Sequence, residues 1–342
     1  MKTVAAILVA QREPLVVSEV TLPALGYGHV LVEIKTSRIC GSQLGEIDGV
    51  KGPDRYLPHL LGHEAGGIVR DIGLGVTQTK VGDHVVLHWR PGRGIQARST
   101  VYEWEGKKVN AGSVTTFQQF TVVSENRLTP IPQEVDLELA SLMADTITTG
   151  FGVITRDAKV EVGESLVVIG CGGIGLGVVL GARLAGAHPI VAVDLHNHKL
   201  ATAQKHGATH LVESRSVDWR SRVEVILGGK ADVVIDGTGR PEIIEQAYEL
   251  TAPRGRCVLF GVMPHDRKVS LHTLPLHFGR VLTGSEGGQS RPSEDIPRLL
   301  RMFAAGRFHV EGFVTHRCAL ADINRAIATM RAGESNHTLI RF

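Results

Sequence analysis

Up to about residue 145, short apolar runs alternate with turn residues at 4–9, 15–20, 30–35, 67–72, 81–88 and 120–123, the pattern of a β-rich domain. Within 30–35 the period of two sets Val30, Val32 and Ile34 on one face and Glu33 and Lys35 on the other, so one face of this strand is predicted to line a core. From Glu164 onward the pattern changes. Apolar strands at 166–170, 190–194, 210–213, 232–236 and 256–261 alternate with helix-compatible sequence, which predicts a parallel sheet covered by helices. The alternation ends near 281–286, and helix-like stretches at 294–305 and 320–331 precede a final apolar strand at 338–342. That tail is expected to rejoin the first domain. The chain then divides into 1–147 with 283–342 and 148–282, with a ligand cleft expected between the two. The stretch 90–112, rich in Gly, Arg and polar residues and containing Tyr102 and Trp104, reads as a long excursion with a solvated basic character and no evident function.

Composition narrows the classes. A chain of 342 residues can bury two substantial cores, and 37 Lys and Arg against 35 Asp and Glu show no bias toward nucleic acid. The start, Met1-Lys2-Thr3 before an apolar stretch, superficially resembles a secretory signal. It is short for a signal core, lacks an evident cleavage site and runs straight into strand-like alternation, so a first strand is the better reading. No segment is expected to be long enough to span a bilayer. The four cysteines, Cys40, Cys171, Cys257 and Cys318, lack a disulfide-framework spacing, which points to a reducing cytoplasm.

Gly170-Cys171-Gly172-Gly173-Ile174-Gly175 follows one of the predicted strands and opens a helix-like run. Gly170 permits a tight turn, Gly172 lets a pyrophosphate approach the backbone, and Gly175 permits close packing of helix on strand, while the helix N-terminus offers unpaired N–H groups to anionic oxygens. Asp194 ends the next predicted strand, at about the 20-residue distance the dinucleotide fingerprint requires, where its carboxylate is expected to hold ribose hydroxyls. The same charge repels a 2′-phosphate, which favours NAD over NADP, although His196, His198 and Lys199 close by weaken that discrimination. Gly173, Ile174 and Lys199 join the candidate cofactor contacts. The competing structural reading is a tight turn and a helix cap.

A second constellation consists of Cys40, His63 and Asp145, whose thiolate, imidazole and carboxylate all suit zinc and leave a fourth position for water or substrate. Spacing alone does not bring them together, since each residue taken singly is more often a packing, hydrogen-bonding or capping group. The pieces Cys40-Gly41-Ser42, Gly62-His63-Glu64-Ala65-Gly66-Gly67, Val81-Gly82-Asp83-His84-Val85, Thr149-Gly150-Phe151-Gly152 and the glycine run resemble the zinc-dependent medium-chain alcohol dehydrogenases over nearly the whole chain. The resemblance implies an α/β protein with a GroES-like β-rich catalytic domain and a Rossmann doubly wound parallel-sheet domain. It also implies one catalytic zinc per chain at Cys40, His63 and Asp145, with NAD as cofactor. By this resemblance Asp145 stands where alcohol dehydrogenases with a Cys-Cys-His catalytic zinc have their second cysteine. Glu64 matches the acidic neighbour of the histidine ligand, Trp89 an aromatic substrate-pocket position that a core-filling aromatic would explain equally well, and His337 the region of a basic contact to cofactor phosphate.

Three departures stand out. No cysteine lies between Arg90 and Phe117, where many relatives carry a structural zinc lobe, so a second zinc is not expected. Gln43 replaces a common aspartate, leaving a neutral amide to orient His63 and weakening the imidazole's basicity. Gly45 replaces the outer histidine of a proton relay, so proton exit must differ.

The resemblance implies interconversion of an alcohol, whether polyol, sugar, cyclitol or simple alcohol, with its carbonyl, Ser42 accepting the alcohol proton and passing it on. A homodimer or homotetramer is expected, with a small-molecule substrate and neither nucleic acid nor membrane as partner. The alternative is a zinc-free, NADP(H)-linked quinone or alkene reductase, or a noncatalytic nucleotide-binding relative; the Cys40, His63 and Asp145 set disfavours both.

Overall fold

The computed structural model describes residues 1–215 and 218–342, which form two compact units, Met1–Asp145 with Arg291–Phe342 and Thr146–Ser290. In the first, five strands close into a barrel in the order Lys2–Leu8, Val16–Thr21, Thr100–Trp104, Lys107–Gly112 and His59–Leu60. A second, seven-stranded sheet is centred on the long strand His29–Ile39, which pairs antiparallel with Glu64–Ile72, Phe120–Ser124 and the C-terminal strand His337–Arg341. Val30, Val32 and Ile34 are buried, as their alternation requires, and pack with Ala65, Val69, Val85 and Leu87. The helix Ile323–Arg331 inserts Ile323 and Ile327 among Leu8, Ile39, Ile47 and Phe117, which ties the C-terminal part of the chain into a core begun by the first strand.

Part of the stretch read as an excursion is a hairpin. Thr100 and Tyr102 are buried while Val101 and Glu103 face out, and Glu105 and Gly106, both at positive φ, make the tight connection. The loop leading into it is fastened by Glu125, which is fully buried: Oε1 accepts from the Thr77 and Gln78 N–H groups at 2.5 and 2.7 Å, and Oε2 from Ile95 N–H at 2.6 Å.

The second unit holds six parallel strands, in chain order Leu166–Ile169, Ile190–Asp194, His210–Glu213, Ala231–Asp236, Thr251–Leu259 and Val281–Gly284. Their spatial order is third, second, first, fourth, fifth, sixth, the Rossmann topology. Val281–Gly284 pairs with Thr251–Leu259, so this unit runs on to Ser290 and not to the expected 282.

The expectation that no segment reaches membrane-spanning length needs correcting. The helical run Leu137–Asp157 is long and apolar enough at 21 residues, but 83% of the window is buried inside the protein, as a core helix requires.

Candidate metal centre and nucleotide loop

In the first unit, ligating atoms of Cys40, His63, Glu64 and Asp145 lie within 4.8 Å of one another. Local structure explains each placement. Cys40 is the N-cap of the helix Gly41–Asp48, and Gln43 three residues on returns its Oε1 to accept from the Cys40 N–H at 2.8 Å, so the helix start fixes the cysteine. His63 follows Gly62, whose φ of +91° and contact with Thr116 and Phe117, 2.4 and 2.6 Å from any Cβ, admit no side chain. Glu64 opens the strand Glu64–Ile72. A Cβ on Gly66 would lie 2.4 Å from the Leu137 carbonyl oxygen, so this strand and the helix Leu137–Leu142 meet backbone to backbone, and Thr36 Oγ1 donates to the same carbonyl at 2.7 Å. The helix then widens into a π turn, Met143–Ile147, that carries Asp145; such turns recur at functional sites.

Buried charge is balanced locally. Arg38 Nε donates to Glu64 Oε2 at 2.7 Å and Nη2 to Oε1, with both side chains almost fully buried. Burial alone would raise the Glu64 pKa, but Arg38, with His63, holds it down at about 2. Burial likewise disfavours an imidazolium at His63, yet Cys40 and Glu64 outweigh it and push that pKa well above the ordinary value. Gln43 Nε2 stands 2.7 Å from His63 Nδ1 and 3.3 Å from Ser42 Oγ. With Gln43 Oε1 accepting from the Cys40 N–H, its Nε2 faces His63 Nδ1 as a donor, which suits a ring whose Nδ1 is the acceptor. Arg38 was missed in the sequence because the strand changes phase: the register shifts between Ile34 and Thr36, so Arg38 lies on the face opposite Val30, Val32 and Ile34, where it meets Glu64.

In the second unit, the strand Leu166–Ile169 leads through Gly170, at φ +91°, into the helix Gly173–Ala185 capped by Gly172. A Cβ on Gly175 would stand 2.0 Å from the Gly170 carbonyl oxygen, whereas one on Gly172 would meet nothing within 4 Å. Gly172 has φ −71°, which any residue adopts, so the open space beside it is available for a ligand and is not needed by the fold. Asp194 closes the loop from its strand end, Oδ2 accepting from Cys171 N–H and Oδ1 from His196 N–H, each at 2.8 Å. Gly173 and Ile174 are partly exposed at the helix start, and Lys199 lies in the first turn of the helix Asn197–His206.

The structure thus brings Cys40, His63, Glu64 and Asp145 together, sets Ser42 beside Gln43, and gathers the glycines with Asp194. Trp89, expected as a pocket wall, donates its indole N–H to Asp145 Oδ1 at 3.1 Å. His337 departs from expectation: it is fully buried, its Nδ1 accepts from Arg38 Nη1 at 2.7 Å, and its ring stacks on Phe313, so it braces the Arg38 to Glu64 pair and is not available to a phosphate.

Residues 26–133 match the family described as "Alcohol dehydrogenase GroES-like domain" and residues 173–305 the family described as "Zinc-binding dehydrogenase". The chain is 30% identical to the alcohol dehydrogenase class-3 of Cereibacter sphaeroides over 378 aligned positions, covering all of both proteins. The chain belongs to the zinc-type medium-chain alcohol dehydrogenase family. Two solved members superpose along its whole length: an alcohol dehydrogenase zinc-binding domain protein from Burkholderia ambifaria, with TM-score 0.91, 27% identity and 99% of that chain covered, and the benzyl alcohol dehydrogenase of Acinetobacter calcoaceticus, with TM-score 0.90, 26% identity and 99% covered. Medium-chain alcohol dehydrogenases are oxidoreductases that in general use zinc and NAD(H), and the barrel-containing unit of this one is its GroES-like part.

Proposed function

We propose that this family member is a zinc-dependent, NAD(H)-linked alcohol dehydrogenase that interconverts a small alcohol, in the class of polyols, sugars, cyclitols or simple alcohols, with its carbonyl. The observation that carries the proposal is the convergence of Cys40, His63, Glu64 and Asp145. The donors fit zinc: a thiol, an imidazole and two carboxylates are borderline-soft and hard groups of the kind zinc accepts, and the buried His63 Nε2 lacks a hydrogen bond while lying 3.4 Å from Glu64 Oε1 and 3.9 Å from Asp145 Oδ2. Cys40, His63 and Asp145 would hold the ion, with Glu64 as the adjacent acid kept ionised by Arg38. Zinc bound there supplies Lewis acidity toward the substrate oxygen and lowers the pKa of an alcohol hydroxyl. Ser42 Oγ, both donor and acceptor, takes the alcohol proton and passes it outward, a route suited to a chain with Gly45 where a relay histidine stands in relatives.

NAD bound to the second unit would supply the hydride acceptor, with the Gly172 to Gly175 backbone positioned to hold its pyrophosphate, Asp194 its ribose hydroxyls, and Lys199 beside them. Asp194 favours NAD over NADP, and Asp194→Gly is expected to shift the ratio of NAD to NADP turnover toward NADP; an unchanged ratio removes that role. The first unit is then the catalytic domain and the second the NAD-binding domain. A homodimer or homotetramer is supported by the outermost strand Val281–Gly284 and by the exposed Leu274, Leu276 and Phe278 that precede it, and sedimentation of the intact protein measures it. Four free cysteines support a cytoplasmic setting.

The deciding experiment combines metal analysis with alcohol-dependent NADH formation at alkaline pH. One zinc per chain together with NADH formation is expected. Metal-free protein that reduces quinones or alkenes with NADPH overturns the reading in favour of the zinc-free class.

A further inference from the structure

We infer that Trp89 is a positioning residue of the metal centre, its indole N–H holding Asp145 by one oxygen so that the other is presented to the ion. The inference rests on the metal reading above and adds to it a role for a residue otherwise explained as pocket wall or core filler.

An indole N–H can only donate, so the 3.1 Å contact fixes Asp145 Oδ1 as acceptor. Asp145 Oδ2 is the oxygen that stands 3.9 Å from His63 Nε2, on the side of the cluster. A carboxylate, unlike a thiolate, has two equivalent donor atoms and a free torsion between them. Left unrestrained, it can bind through either oxygen, through both, or swing away. A donor on Oδ1 restricts that freedom at small entropic cost, because the Trp89 backbone is fixed by the strand and by Arg127, and its ring lies beneath the Arg90 guanidinium. Trp89 directly follows the strand His84–His88, whose His88 is the register partner of Glu64; its carbonyl accepts from Arg127 Nη1; and the Arg90 guanidinium lies over its ring at 5.6 Å. The strand that supplies Glu64 therefore has, as its neighbour, the strand that aims the residue steadying Asp145. The chain pairs an orientable ligand with the anchor such a ligand needs.

The test measures zinc affinity by competition with a chromophoric chelator and records the visible spectrum of the cobalt(II)-substituted protein, for the parent, Trp89→Phe, Asp145→Cys and the double variant. Trp89→Phe keeps the aromatic bulk and removes the donor, and is expected to weaken zinc by about 10–100-fold and to shift the cobalt d–d bands, the size of effect ligand-orienting partners have elsewhere. A cysteine ligand has a single donor atom, so in the Asp145→Cys background the same change is expected to cost less than about threefold. Equal affinity of parent and Trp89→Phe, or an equal loss in both backgrounds, overturns the inference while leaving the metal reading intact. A parent protein that binds neither zinc nor cobalt at this site overturns both. If Trp89→Phe does not fold, the benzothienyl analogue of tryptophan at position 89 removes the N–H alone and reads out the same affinities.

Discussion

Between Gly170 and Gly175 what is offered to a ligand is backbone amide and open space, supplied by consecutive residues with little side-chain chemistry. Around Cys40, His63, Glu64 and Asp145 it is ionisable side chains drawn from separate stretches, each tied to a neighbour: Cys40 and His63 to Gln43, Glu64 to Arg38, Asp145 to Trp89. The contrast teaches where each region is vulnerable. A site made of backbone and space is damaged by adding atoms, whereas a site made of buried charge is damaged by taking a partner away.

The largest effect should come from the charged site. Asp145→Ala is expected to remove most of the zinc and most of the alcohol-dependent NADH formation from a protein that still folds, as read by metal analysis and circular dichroism; full zinc retention would contradict the assignment of Asp145 as a ligand. Next, Arg38→Met leaves Glu64 buried without its cation and should cost about 3–5 kcal/mol of stability, measured by denaturant titration. A loss below about 1 kcal/mol would mean that Glu64 is not held by this pair.

The nucleotide loop sharpens the comparison within itself. Gly175→Ala drives a Cβ against the Gly170 carbonyl and should destabilise by about 1–3 kcal/mol as well as weaken NAD binding. Gly172→Ala places its Cβ in open space at an ordinary φ, so its melting temperature is expected to match the parent while NAD binding weakens. If both variants lose stability equally, the space beside Gly172 belongs to the fold and not to a ligand.

The last effect concerns pH. Burial, aided by repulsion from Arg127, pushes the His88 pKa down to about 4, with Nδ1 facing the Arg90 carbonyl and Nε2 facing Thr129 Oγ1. The unfolded chain binds a proton on this ring near the ordinary value of about 6.5, so below that pH the unfolded state takes up a proton that the folded state refuses. The stability that depends on neutral His88 is thus complete above about pH 6.5 and is lost as pH falls toward about 4. His88→Gln should flatten the slope of stability against pH in that window, by up to about 3 kcal/mol across it, and urea midpoints at several pH values measure it. An unchanged slope would assign the acid sensitivity to other groups.

What could be read from the chain followed the same division. The glycine run, its strand and helix and the acid at the next strand end are contiguous or nearly so, and local pattern sufficed. The alternation of Val30, Val32 and Ile34 announced a core face, but the register shift between Ile34 and Thr36, which turns Arg38 to the opposite face and onto Glu64, shows only in the pairing across the sheet. The convergence of Cys40 and His63 with Asp145 was legible through family resemblance alone, because period and propensity carry no information about which distant strands become neighbours. His337 departed from its expected phosphate contact, and the bond from Trp89 to Asp145 went unforeseen, for a related reason: a buried imidazole and an indole N–H are placed by whatever donor or acceptor the surrounding sheet supplies. The hairpin at Thr100–Gly112 was hidden by the Gly and Arg residues of the loop before it, though Tyr102 facing in and Glu103 facing out had left the alternating signature of a strand.

The Glu125 carboxylate, gripping three backbone amides beneath the loop that precedes this hairpin, gives that lobe an anchor made of protein alone. None of these contacts uses a cysteine or a metal ligand. A chelator that strips the proposed zinc should therefore leave this corner of the molecule as protected from hydrogen exchange as before.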